Sequence, residues 1–145
     1  MKVFIVFLGL LLVNISFLCY QGDLGRYIQE QAILKAAAEE CAAGAALLLE
    51  EEAYGQGLII FDKAAGRRYA DAHLAYTMHS ISGGESAYYH CALSFEYDEC
   101  GYGADNALKR PAVTAEVRVR TEDRFRLPML TVTDFQRESR YELVY

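Results

Sequence analysis

Polarity divides the chain into three stretches. Val3 to Gly22 is a run of 20 uncharged residues in which Asn14 and Ser16 are the only polar side chains before Gln21. As a helix it would rise roughly 30 Å, the thickness of a bilayer's hydrocarbon core. Asp23 to Glu52 follows, free of proline and dense in Ala, Leu, Glu and Gln, a composition that predicts one long helix. Asp23 is its expected N-terminal cap, and Glu50, Glu51 and Glu52 should fray the far end, where negative charge opposes the helix dipole. Tyr54 to Gly57 reads as a turn and Gly57 to Phe61 as a short extended segment. Asp62 then caps a second helix ending near Met78, with Ala65, Tyr69, Ala72 and Tyr76 as its expected apolar face. After the loop Ser80 to Ser86 the period changes from helical to alternating.

That last third predicts strands. Ala87 to Tyr97 reads as one, and Cys100 to Arg110 as a loop rich in turn residues. Pro111 opens Ala112 to Arg120, where Val113, Ala115, Val117 and Val119 alternate with Thr114, Glu116, Arg118 and Arg120. Met129 to Tyr145 holds one or two more strands, with burial expected at Tyr141, Leu143 and Tyr145. The fold class is therefore α+β: a long N-terminal helix packed on an antiparallel sheet of three to five strands. Removing the first 22 of 145 residues leaves 123, enough for one modest core. Residues 1–22 are read as a transmembrane signal-anchor segment and residues 23–145 as one extracytoplasmic domain.

A cleaved signal peptide competes with the uncleaved anchor. The apolar run is longer than the usual signal-peptide core, and the positions where small residues are wanted for cleavage hold Ser16/Leu18, Phe17/Cys19, Cys19/Gln21 and Tyr20/Gly22. The uncleaved anchor is the reading adopted. Lys2 and the N-terminal amine favour a cytoplasmic N-terminus, which puts the rest outside.

The expected long helix carries small residues at four-residue spacing. Ala38, Ala42 and Ala46 form one line, with Ala37, Cys41 and Ala45 beside it. Such a ridge lets another backbone approach closely, either the chain's own sheet or a neighbouring copy in an assembly. Charge is uneven: residues 23–62 hold eight acids and two bases, whereas residues 111–145 hold six of each. The net charge of −6 and the absence of a basic cluster argue against duplex nucleic acid as a partner.

Candidate chemistry is sparse. Of Cys19, Cys41, Cys91 and Cys100, the pair Cys91 and Cys100 is the possible disulfide, being close in sequence and outside the membrane segment. Pairings with Cys41 stay open, since spacing does not fix connectivity. His73, His79 and His90 lack metal-ligand spacing, so no metal and no cofactor is expected. The glycines of Gly101-Tyr-Gly103 read as a turn, and no serine stands in a nucleophile motif. The expectation is a non-catalytic protein, not an enzyme.

The order of parts resembles a known family. An apolar N-terminal segment runs into DLGRYIQEQAILKAAAEECAAGAAL, then GLIIFDKAAGRRYADAHL, and late in the chain comes RPAVTAEVRVR. This is similar to the TadE/TadG-like pseudopilins and pilus-assembly proteins of the tight-adherence, Flp-type system. The matching residues are Asp23, Gly25 and Arg26, then Ala37, Ala38, Ala42, Ala43, Ala45 and Ala46. Members processed by a prepilin peptidase carry a glutamate five residues after a glycine within the apolar stretch. Here Gly9 is followed by Asn14, and Gly25, which is followed by Glu30, lies beyond that stretch. The resemblance implies a pilin-like domain and a role as an accessory subunit of a Tad-type pilus or a related secretion apparatus. Its implied partners are the membrane and other pilin-like or assembly subunits. The alternative is a single-pass surface protein binding a ligand or partner through Tyr88, Tyr89, Tyr97 and Tyr102.

Overall fold

A computed structural model describes residues 2–80, 88–97, 110–126 and 130–143. The apolar segment and the expected long helix are continuous, so Asp23 begins no separate helix. One helix, α1, runs unbroken over Lys2–Ala46, 45 residues. Neither Gly22 nor Gly25 interrupts it, and a Cβ at either would meet nothing within 4 Å.

α1 stops before the glutamates. Leu48 to Glu50 leave the helix and pair with the extended segment ahead of Asp62: Glu50 N–H donates to Ile60 O at 2.9 Å, and Asp62 N–H to Leu48 O at 2.9 Å. Glu51 and Glu52 instead open a second short helix, α2 (Glu51–Gly55). Acids that would oppose the dipole at the end of α1 suit the positive N-terminus of α2. The chain turns back at Gly57, whose φ of 81° is a left-handed conformation that glycine adopts without steric cost. Helix α3 spans Lys63–Ser80. Asp62 caps it as expected, its Oδ1 accepting from Ala64 N–H at 3.0 Å and Ala65 N–H at 2.9 Å.

The α3 face differs from the expected one. Gly66, Ala70, Leu74 and Met78 are buried, whereas Tyr69 and Tyr76 are 41% and 79% exposed. The two rows are adjacent on the helix, and the buried one holds its bulky aliphatic side chains. A tyrosine can leave its hydroxyl in water; Leu74 and Met78 gain only by burial.

Three strands form one antiparallel sheet in the order β1-β2-β3: β1 Tyr88–Glu96, β2 Ala112–Arg120 and β3 Asp134–Glu142. Val113, Ala115, Val117 and Val119 of β2 face Phe95, Leu93, Cys91 and Tyr89 of β1, and Tyr141, Ser139, Arg137 and Phe135 of β3. This face meets both long helices. The other carries Glu116, Arg118, Gln136 and Arg140. Burial on β3 falls at Phe135, 5% exposed, and not at Tyr141, which is 42% exposed. The reason is coverage: Phe135 sits under Leu34, Ala37 and Ala38 of α1, whereas Tyr141 lies toward the other end of an edge strand. Leu143 is half-buried against the cluster of Ala45, Ala46, Phe61 and Val113, and Tyr145 lies outside the described residues.

The core is layered along α1. Leu34, Ala37 and Ala38 meet Leu74, Met78, Val117, Val119 and Phe135; Cys41 and Ala42 meet Ala70 and Ala115; Ala45 and Ala46 meet Phe61 and Val113. As α1 advances, the β2 and α3 numbers fall, so α1 runs lengthwise against both in the opposite sense. The middle layer is built from alanines and thiols, and the bulky residues lie in the flanking layers.

Candidate functional site

The six ridge residues are 0–1% exposed. Ala37, Ala38, Cys41, Ala42, Ala45 and Ala46 all face the chain's own α3 and sheet, so the surface proposed as a contact between copies is spent inside the fold. Close approach is the reason for small side chains here, and the approaching backbones are those of α3 and β2. Two glycines continue the pattern. A Cβ on Gly44 would run into the Tyr69 ring, and one on Gly66 would lie 3.1 Å from Phe95 Cζ and 3.4 Å from Ala45 Cβ.

The other end of α1 is the opposite case. Val3, Phe4, Ile5, Val6 and Phe7 are 61–84% exposed, and the apolar surface continues to Leu18 at 60%. Exposed apolar surface on this scale marks a partner or a membrane. α1 is long and apolar enough to cross a membrane, and none of its apolar window is buried against the chain.

Between these regions lies a collar that sequence reading missed. Residues 121–126, which follow β2, reach α1, and Phe125 packs between Tyr20 and Tyr27, with ring centroids 6.2 and 5.9 Å away. Asp23 is not a cap: it sits mid-helix, 3% exposed. Its Oδ2 accepts from Arg126 N–H at 3.0 Å, and its Oδ1 lies 3.7 Å from Arg126 Nε. About two turns along, Glu30 pairs with Arg124 at 3.2 Å. A buried carboxylate needs such donors, because desolvation without them costs several kcal/mol. The acid and arginine partners are about a hundred residues apart, so no local pattern could reveal them.

The remaining candidates scatter. His73 joins the two long helices through Nε2 to Glu40 Oε2 at 2.7 Å. No cluster of three or more His, Cys, Asp or Glu able to hold a metal occurs among the described residues. Tyr88 is 73% exposed at the start of β1. Tyr97 follows the end of β1, roughly 30 Å away at strand rise, with Lys63 Nζ 3.2 Å from its hydroxyl and 4.5 Å from its ring centroid. Tyr88 and Tyr97 do not converge, and Tyr102 lies outside the described residues. On the outer sheet face Glu116 accepts from Arg118 Nε and Gln136 Nε2, both at 2.6 Å, and Arg140 pairs with Glu96 at 2.9 Å and Glu142 at 3.1 Å. Charges so exposed and mutually paired read as a solvated face.

Cys91 is half-buried on β1, and Cys100 lies outside the described residues. Cys91 instead meets Cys41, against which it packs. Cys41 S–H donates to Ala70 O at 3.8 Å, and the Cys91 thiol lies close enough to act on it. The neighbouring Cys91 side chain and then burial push the Cys41 pKa far up. The same pairing lowers that of Cys91.

No protein-family model, curated protein or solved structure matches the chain. Fold and surface together define a class: an α+β protein with one long apolar N-terminal helix that fits a transmembrane or signal-anchor helix.

Proposed function

We propose that the chain is a membrane-anchored, pilin-like accessory subunit of a pilus or secretion apparatus. One observation carries the reading: a bare apolar segment and a fully buried ridge of small residues occupy the two ends of a single 45-residue helix. The bare end supplies a membrane span, and the buried end builds the helix into the base of an antiparallel sheet. The similarity of Asp23, Gly25, Arg26 and the alanine ridge to TadE/TadG-like proteins points the same way. Tyr20 and Tyr27, at the collar, suit the level where a membrane interface would lie. Lys2 then stays in the cytoplasm and the sheet outside. Contact between subunits through the ridge is excluded by its burial, and the apolar end of α1 is the largest exposed apolar surface left for it.

The test is a photocrosslinking residue placed at Leu8 or Leu12 in cells carrying the native gene neighbourhood. Crosslinks to pilin-like subunits or a polytopic assembly protein are expected. A mature N-terminus between residues 17 and 23, found by mass spectrometry of the extracted protein, would overturn the anchor and with it the role.

A further inference from the structure

Two thiols meet where the core is thinnest. Cys41 is fully buried on α1, while Cys91 on β1 also lines a groove of about 470 Å³ bordered by Arg67, Ala70 and Asp71 of α3. The groove runs along β1, an edge strand, so one thiol is reachable from solvent and its partner is reachable only through it. We propose that Cys41 and Cys91 are a redox-active dithiol that closes into a disulfide between α1 and β1, by exchange with a small-molecule disulfide of the glutathione class entering the α3–β1 groove.

The order of events follows from access. Cys91 loses its proton and its thiolate attacks one sulfur of the incoming disulfide; a Cys91–glutathione bond forms and one glutathione thiolate leaves, taking up a proton. Cys41 then deprotonates and attacks Cys91 Sγ; the Cys41–Cys91 bond forms and the second glutathione leaves as thiol. The dithiol loses two electrons and two protons, and one disulfide is reduced to two thiols. Cys91 is the thiol that lines the groove, and its interaction with Cys41 lowers its pKa, which makes Cys91 the first nucleophile. Capping Cys91 removes its interaction with Cys41, the leading cause of the high Cys41 pKa; burial, Glu40 and Asp71 still oppose ionisation of Cys41. Arg67 at the groove offers a cation to the carboxylates of glutathione.

The experiment uses the full chain in detergent, reduced, then incubated with oxidised glutathione, acid-quenched over time, alkylated and mapped by mass spectrometry. A Cys41–Cys91 linked peptide is expected, preceded by a transient glutathione adduct on Cys91. In Cys41→Ala the reaction should stop at that adduct; in Cys91→Ala, Cys41 should remain unmodified. A Cys91–Cys100 peptide as the main product, an adduct forming first on Cys41, or a wild-type pair that stays alkylatable while Cys100 is glutathionylated would each overturn the proposal. The wild-type time course stands on its own if either variant fails to fold.

Discussion

Ala42→Leu is the sharpest test of the layered core. Ala42 is 0% exposed and faces Ala70 and Ala115, with Cys41 beside it. Leucine adds three carbons, whose burial in a waiting space would stabilise by about 2.4 kcal/mol at ~0.8 per carbon. There is no waiting space: the middle layer is made of the smallest side chains in the core, and α1 is fixed on either side by Leu34 over Phe135 and by Ala46 over Phe61. The added volume must be taken up by an unfavourable rotamer or by lifting α1 off β2, and such overpacking costs about 1–3 kcal/mol net. For a domain of this size that corresponds to a fall in Tm of about 4–12 °C. Thermal unfolding of the full chain in detergent, followed by circular dichroism, reads it. Ala36→Leu is the control, because Ala36 is exposed on the far side of the same helix and should shift stability by no more than about 0.5 kcal/mol. If Ala42→Leu melts with Ala36→Leu and wild type, the ridge is not packed as described.

Phe135→Ala should cost about 3–5 kcal/mol and Tyr141→Ala much less, since only Phe135 lies beneath α1; equal losses of Tm would contradict the described coverage of β3. Gly22→Ala and Gly25→Ala should each stabilise α1 by about 0.5–1 kcal/mol, because both positions are helical and open; a lower Tm would mean that the helix bends there. Asp123 accepts from Phe125 N–H and Val132 N–H, each at 3.1 Å, and these bonds hold its carboxyl below the usual aspartate range. A depressed folded-state pKa gives a contribution that is full above the unfolded-state value of about 3.9 and is lost as pH falls through the folded value. The protection of the Val132 amide, its exchange rate relative to the intrinsic rate at the same pH, should therefore fall only at pH below that range, and a loss of protection already near neutral pH would exclude Asp123 as the cause.

The legible parts of this fold are those with a short period. Ala112–Arg120 alternates cleanly, and its strand bounds match the expected ones residue for residue. Asp62 stood one position ahead of a helix and caps it. What escaped sequence reading depends on tertiary pairing. The end of α1 is set by hydrogen bonds to residues 60 and 62, the α3 face by a choice between adjacent rows, and the role of Asp23 by Arg126. The ridge was visible as a ridge, but spacing cannot say whether its neighbour is a second copy or the chain's own β2. The Cys41–Cys91 meeting was likewise hidden, because it joins a helix to a strand 50 residues later and only the layered core brings them level.

The unbroken course of α1 has a mechanical consequence. Tension applied at Val3 to Leu18 passes along the helix axis with no hinge to absorb it. Because α1 lies lengthwise against β2 and α3, that load reaches the core in shear: the layers at Leu34, Ala42 and Ala46 resist together and do not open one after another. The collar stands at the point of entry, where Phe125 and Arg126 grip Tyr20 and Asp23 and oppose any sideways peeling that would load one layer at a time. Pulled along its helix, the protein should yield at high force in one event; pulled across it, through β3, it should unzip strand by strand at low force.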